Sequence, residues 1–230
     1  MAETFISLLN AGVALGGNSI LSGINFSLGA AERVVVLGAN GAGKSTFLRL
    51  AHGLAPLDTG TRKAPPAAQQ AMLFQRPALL RRSALANVEF VLAAYNVPTQ
   101  QLRSRADVAL AACGLAHVRD QFARSLSGGE QQRLALACAW GIQPRVLFAD
   151  EPTASLDLHA VRAVEASLLG LNAQGCAMVM TTHNLAQAKR LAQRIIFLHN
   201  GTIADDVSAS QFFAGAQSAH ANAFFEGEKV

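Results

Sequence analysis

"VVVLGANGAGKST", Val34 to Thr46, joins two kinds of sequence without a break. Val34–Leu37 is a short apolar run, suited to a strand buried on both faces. Residues 38–45 fit the pattern G-x-x-x-x-G-K-[ST], in which glycines allow turns and close backbone approaches. From Lys44 to about Gly53 the chain reads as a helix. A strand, a glycine-rich loop and a helix in that order make a cradle for phosphate. The first amides of a helix lack partners, and its dipole favours an anion there. Gly38, Ala39, Asn40, Gly41, Ala42, Gly43, Lys44, Ser45 and Thr46 are therefore expected to bind nucleotide phosphates. Lys44 would reach the β- and γ-phosphates, and Ser45 would hold Mg²⁺.

Upstream, residues 1–36 read as β-rich. Phe5–Leu9 and Ile20–Leu28 carry the apolar positions, with Gly16–Gly17 as a turn. Downstream, residues 56–66 read as loop, and Met72–Phe74 as a short strand ending at Gln75. Ser83 is placed to cap a helix running to about Tyr95. Pro98 interrupts, and a second helix spans about Thr99 to Cys113, with Gly114 just beyond it. Another helix follows "LSGGE" to about Gly141. Val146–Ala149 and Met178–Thr181 read as buried strands. Ile195–Leu198 and Thr202–Ala204 flank an Asn200–Gly201 hairpin turn. From Ser208 onward a short tail is expected, its Phe212, Phe213, Phe224 and Phe225 packing back on the body. Strand–helix alternation implies an α/β fold with a mainly parallel sheet and a helical insertion.

A second chemical signal lies in "VLFADEPTASLD", Val146 to Asp157. A buried strand ending in two acids is costly unless a metal or a cation answers them. Beside a phosphate loop, Mg²⁺ is the natural partner for Asp150. Glu151 would orient or deprotonate the attacking water.

The third signal is "LSGGEQQR", Leu126 to Arg133. Two glycines follow a serine at a helix start, which again suits an anion, far from the first cradle. In order, the chain holds Gly38–Ser45, Gln75 in "LFQRP", "LSGGEQQR", Asp150–Glu151, "SLD" at Ser155–Asp157, and His183 in "TTH". Over nearly all 230 residues this resembles the ATP-binding cassette (ABC) ATPases. The resemblance implies a P-loop NTPase fold of the ABC type, with an N-terminal antiparallel β-subdomain and a helical insertion. Its expected parts are residues 1–75 (β-subdomain and first part of the core), 76–126 (helical), 127–207 (rest of the core) and 208–230 (tail). It implies ATP and Mg²⁺ as ligands, with Ser45, Gln75 and Asp150 at the metal. It implies that Ser127, Gly128, Gly129 and Glu130 close over the ATP of a second copy in a head-to-tail dimer. Gln75 would sense the γ-phosphate, His183 would hold it, and Asp157 would couple the two sites.

Two positions depart from the family pattern. The aromatic that stacks adenine falls near Leu15 in "VALGG", and an arginine common after LSGGE is Cys138 in "LACAWG".

Composition bounds the partners. The net charge is +4, with basic residues scattered apart from Arg76, Arg81 and Arg82, and no aromatics interleave them. Nucleic acid is therefore not an expected partner. No export signal is read at the N-terminus, and no apolar run of about 20 residues is present. Cys113, Cys138 and Cys176 lack metal spacing and are expected to be reduced thiols. Residues 76–98, "RPALLRRSALANVEFVLAAYNVP", and the tail resemble the ATPase subunits of tungstate-type oxyanion importers. That implies transmembrane permease subunits contacted through the region after Gln75 and, indirectly, a substrate-binding protein. It also implies a peripheral location on the cytoplasmic face of the inner membrane. Alternatives are another ABC importer (molybdate, phosphate, amino acid), an exporter or lipoprotein system, and a non-transport ABC ATPase.

Overall fold

A computed structural model describes residues 4–215 and 218–227. Residues 1–3 of the expected N-terminal segment, and 216–217 and 228–230 of the expected tail, lie outside the described residues. In chain order the strands are β1 (Thr4–Leu15), β2 (Asn18–Gly29), β3 (Arg33–Leu37), β4 (Thr59–Lys63), β5 (Gln70–Leu73), β6 (Val146–Asp150), β7 (Ala177–Thr181), β8 (Arg194–His199) and β9 (Thr202–Ser208). The helices are α1 (Lys44–His52), α2 (Ala84–Ala94), α3 (Thr99–Ala112), α4 (Gly128–Ile142), α5 (Leu158–Ala173), α6 (Leu185–Leu191), α7 (Ala209–Ala214) and α8 (Ala219–Gly227).

The main sheet has the order β5-β6-β7-β3-β8-β9. β5, β6, β7, β3 and β8 run parallel, and only β9 is antiparallel. Successive side chains of a strand point to opposite faces, so each buried strand feeds two cores. On β3, Val34 and Val36 join one core and Val35 and Leu37 the other. Val146 and Phe148 separate from Leu147 and Ala149 in the same way on β6. This is why the sequence shows continuous apolar runs rather than alternation.

One core lies beneath a second, antiparallel sheet of order β2-β1-β4, and α1 contributes Phe47, Leu48, Leu50 and Ala51 to it. The other lies beneath the remaining helices, where residues of α2 and α3 join those of the sheet and α4 in one cluster. The expected tail aromatics pack here: Phe212 is fully buried, and Phe213, Phe224 and Phe225 rest against the cluster.

The structure corrects the loop expected over residues 56–66. Within it, β4 pairs antiparallel with β1. Its sequence, Thr-Gly-Thr-Arg-Lys, has no apolar face, because it is an exposed edge held by backbone pairing. Arg62 on this strand also donates from Nε to the Ala51 carbonyl at 2.9 Å and from a terminal nitrogen to the His52 carbonyl. It thereby satisfies the free carbonyls at the end of α1. The tail from Ser208 is also more regular than expected. Ser208 and Gln211 form a capping box that starts α7, and α8 follows. α5 and α6 add to the helices read from the sequence.

Candidate active site

Parallel strands end at one edge of a sheet, and the loops beyond that edge are where α/β folds place ligands. Here the edge collects the phosphate loop after β3, Gln75 after β5, Asp150 and Glu151 at β6, and His183 after β7. Gly38, Ala39, Asn40, Gln75, Glu151 and His183 line one cleft, together with Phe224 from α8.

The phosphate loop is fixed by its glycines at two points. A Cβ on Gly38, at φ 148°, would sit 2.4 Å from the Leu198 carbonyl oxygen. One on Gly43, at φ 101°, would sit 2.8 Å from a Leu21 methyl carbon. Gly43 also caps α1, so the helix begins where the loop ends, with first-turn amides that lack intrahelical partners. Lys44 is buried, and its Nζ donates to the carbonyls of Gly38 at 2.8 Å and Ala39 at 3.1 Å. Burial lowers the pKa of this ammonium, while the carboxylates of Glu151 and Asp150 act in the opposite direction. A buried cation satisfied by two neutral carbonyls is ready for a polyanion.

Asp150 is buried, and its Oδ1 accepts from Ser45 Oγ at 2.9 Å and from Thr181 Oγ1 at 2.7 Å. The carboxylate and the Ser45 hydroxyl so joined are oxygen donors of the kind Mg²⁺ takes alongside phosphates and water. Among the described residues no cluster of three or more His, Cys, Asp or Glu exists to hold a metal without such help. The donor set therefore fits Mg²⁺ brought with a nucleotide.

Glu151 has left-handed backbone, φ 43°, which is costly for a residue with a side chain. Its amide donates to Thr181 Oγ1 at 2.9 Å, and its Oε2 lies 3.4 Å from His183 Nδ1. Thr181 thus holds both acids in place, a role the sequence reading did not assign. The register carries the signal, since Thr181 pairs directly with Asp150 across β6 and β7.

The remaining predicted residues lie elsewhere. Ser127 caps α4, forming a capping box with Glu130. The hydroxyl and then the amide of Ser127 hold the Glu130 carboxyl below its ordinary range. Gly129 is needed by the fold, since its Cβ would meet Ala160 Cβ at 2.6 Å. Gly128 is not, since the nearest atom would be 3.9 Å away. Ser127, Gly128, Gly129 and Glu130 do not line the cleft that holds Lys44's loop. Asp157 caps α5, its Oδ1 accepting from the Ala160 amide at 2.8 Å. Leu15 sits at the β1–β2 turn, 53% exposed, and is not part of the cleft lining.

A separate apolar groove runs beside Gln75. Phe74, Pro77, Leu80, Phe90, Tyr95 and Cys138 are among its walls. The Gln75 segment is tied to α4 by Gln132, whose Nε2 donates to the Phe74 carbonyl at 3.4 Å. Among the described residues no helix is long and apolar enough to cross a membrane.

Comparison with known proteins shows the family. The family model described as ABC transporter matches residues 21–154. An aliphatic sulfonates import ATP-binding protein, SsuB 2 of Pseudomonas savastanoi pv. phaseolicola, is 36% identical over 88% of this chain and 74% of its own length. A probable amino-acid ABC transporter ATP-binding protein of Haemophilus influenzae is 33% identical over 93% of this chain and 91% of its own. The solved structure of cbiO1 from Clostridium perfringens, part of the ABC transporter complex cbiONQ, superposes with a TM-score of 0.84. It is 25% identical and covers 93% of this chain and 92% of that one. The chain belongs to the ABC transporter family and is one of its ATP-binding ATPases.

Proposed function

We propose that this chain is the ATP-hydrolysing subunit of a bacterial importer that takes up a small tetrahedral oxyanion, or a solute bearing one, through a separate membrane permease. The observation that carries the ATPase chemistry is the meeting of Lys44, the Ser45–Asp150 pair and the Glu151–His183 pair at one edge of the sheet. The amides of the phosphate loop and Lys44 hold the β- and γ-phosphates. Ser45, Asp150 and Gln75 would hold Mg²⁺, which would neutralise charge on the phosphate oxygens when bound. Glu151 takes a proton from water as its oxygen bonds to the γ-phosphorus and the bond to ADP breaks. His183 holds the γ-phosphate. Apolar Leu15 supports adenine through contact alone, which favours weaker selection of the base than an aromatic would give.

Two copies close head to tail on two MgATP. The capped start of α4, with Gly128 free of any packing demand, suits a surface that meets a neighbour's γ-phosphate. Tighter binding of ATP to the closed pair than to the open one is what drives the permease. The groove beside Gln75 receives a short permease helix. Its walls are apolar, and Arg81 and Arg82 follow Leu80 at its edge, which favours an apolar helix with acidic flanks. The chain then works at the cytoplasmic face of the membrane.

The cargo rests on two hints. Residues 76–98 and the tail resemble tungstate-type subunits, whereas the relatives above are named for aliphatic sulfonates and amino acids. A sulfonate head group and tungstate are both tetrahedral oxyanions. Uptake in cells carrying wild type or Lys44→Ala tests the class, with tungstate, molybdate, sulfate, phosphate, an alkanesulfonate and arginine offered singly. Loss of tungstate or of alkanesulfonate uptake alone supports the proposal and names the cargo. Loss of arginine uptake alone moves the chain to the amino-acid importers, and no loss of any overturns the oxyanion reading and moves other importers and exporters to the front.

A further inference from the structure

Phe224 is a tail residue in the nucleotide cleft, and the roles described above do not use it. It is held there firmly. Ser218, just before α8, donates from its amide and its hydroxyl to the Asp205 carboxylate on β9, at 2.8 and 2.6 Å. Ala221 is fully buried. The His220 ring stacks on His199, with centroids 3.8 Å apart and planes within 8°. Phe224 lies 5.6 Å from Phe197, and Phe225 lies 5.3 Å from Phe212. The β8–β9 turn beneath this stack also supports the phosphate loop, through the Gly201 amide and the Ala42 carbonyl at 3.2 Å. Tail helix and phosphate loop therefore share one support.

Phe224 is half-buried: it leans on Phe197 and borders a cleft whose other walls are backbone, amide, carboxylate and imidazole. The ring contact of Phe224 is with Phe197, on the side of the body. The nucleotide does not cover the ring. Aromatic faces carry negative charge density and repel phosphate oxygens. The base is expected near Leu15, which is not part of this lining. What remains is the body that shuts the cleft.

We propose that Phe224 belongs to the surface on which a second copy of this chain closes, and that the closed dimer buries its ring. This rests on the head-to-tail reading above. α8 is then a fixed part of the closing face, and the aromatic serves as an apolar anchor beside a polar site, the kind of residue that dominates interfaces.

The test uses the Glu151→Gln chain, in which hydrolysis is blocked, and follows dimer formation by sedimentation with MgATP. Adding Phe224→Ala should weaken dimerisation about tenfold or more, with MgADP affinity of the monomer unchanged. Phe224→Leu should recover part of the loss. Because Phe224→Ala can also loosen α8, a second variant reads the site without removing bulk. Phe224→Trp in the Glu151→Gln chain should shift its emission to shorter wavelength with MgATP and not with MgADP.

Absence of a dimer for Glu151→Gln itself, both alone and with its permease present, overturns the head-to-tail reading and takes this proposal with it. A dimer that Phe224→Ala leaves equally tight overturns this proposal alone. So does a tighter one, which would make the tail an obstruction. A fall in MgADP affinity, or a Trp shift with MgADP, would place Phe224 on the nucleotide and overturn it as well.

Discussion

His183 Nδ1 lies 3.4 Å from Glu151 Oε2, across the ends of two parallel strands. On the role proposed for His183, turning Nδ1 toward the carboxylate leaves Nε2 to meet a phosphate oxygen. The imidazole side chain is 56% exposed and the carboxylate 18%. A pair this open adds little to stability. Glu151→Gln should therefore keep its melting temperature and bind ATP, while phosphate release falls by about 10² or more. His183→Ala should lose about 10² by removing a contact to the transferring group. Steady-state phosphate release together with nucleotide titration checks both. Wild-type turnover in Glu151→Gln would remove that residue as the base.

Asp157 is expected to couple two sites, yet in the single chain it caps α5. The two roles separate by substitution. Asp157→Ala should cost about 1 kcal/mol of stability, the usual loss for a removed cap. Asp157→Asn keeps an oxygen for the Ala160 amide and should unfold at the wild-type denaturant concentration. If Asp157→Asn also hydrolyses ATP at the wild-type rate, the residue is a cap and not a coupler.

The two glycines after Ser127 differ in what they answer to. A methyl on Gly129 would collide with Ala160, so Gly129→Ala should destabilise the chain by about 1–3 kcal/mol. Gly128 has room for a methyl within its own chain. Gly128→Ala should fold normally, bind ATP normally as a monomer, and lose hydrolysis because closure by the second copy fails. Denaturant unfolding and phosphate release, measured on both variants, separate the two effects.

The parts of the fold written as runs of apolar residues were legible. Val34–Leu37, Val146–Ala149 and Met178–Thr181 each lie within an observed buried strand. β4 was not legible, because an exposed edge strand is held by backbone pairing and leaves no apolar pattern. The same contrast runs through the site. Lys44, Ser45, Asp150 and Glu151 stand in stretches whose pattern and residue chemistry single them out, and His183 was singled out through the family resemblance. Thr181 reaches Asp150 only through strand register, and Phe224 reaches the cleft only through the docking of a tail helix. Neither relation is local in sequence. Cys138 gave no account of itself as a letter in a helix; in space it lines the apolar groove beside Gln75, where a charge would face the same walls.

Burial decides how the three thiols behave. Burial pushes Cys113, Cys138 and Cys176 up to about 12 from an ordinary 9.0. All three should stay protonated near neutral pH and react slowly with alkylating reagents, since the thiolate is the nucleophile. Cys138 opens on the groove while Cys113 and Cys176 are buried, so it should be modified first. The sign of the pH effect follows from the proton count. Below about pH 9 the folded and unfolded chains both keep the thiol protons, and this contribution to stability is fully present. As pH rises toward 12 the unfolded chain releases them first, so stability falls by up to about 1.4 kcal/mol per pH unit for each thiol. Replacing Cys176 with Ala should flatten the fall between pH 9 and 10.5, read from urea midpoints against wild type. An unchanged slope, or a Cys176 that alkylates as fast as a free thiol at pH 8, would show that burial does not hold this thiol protonated.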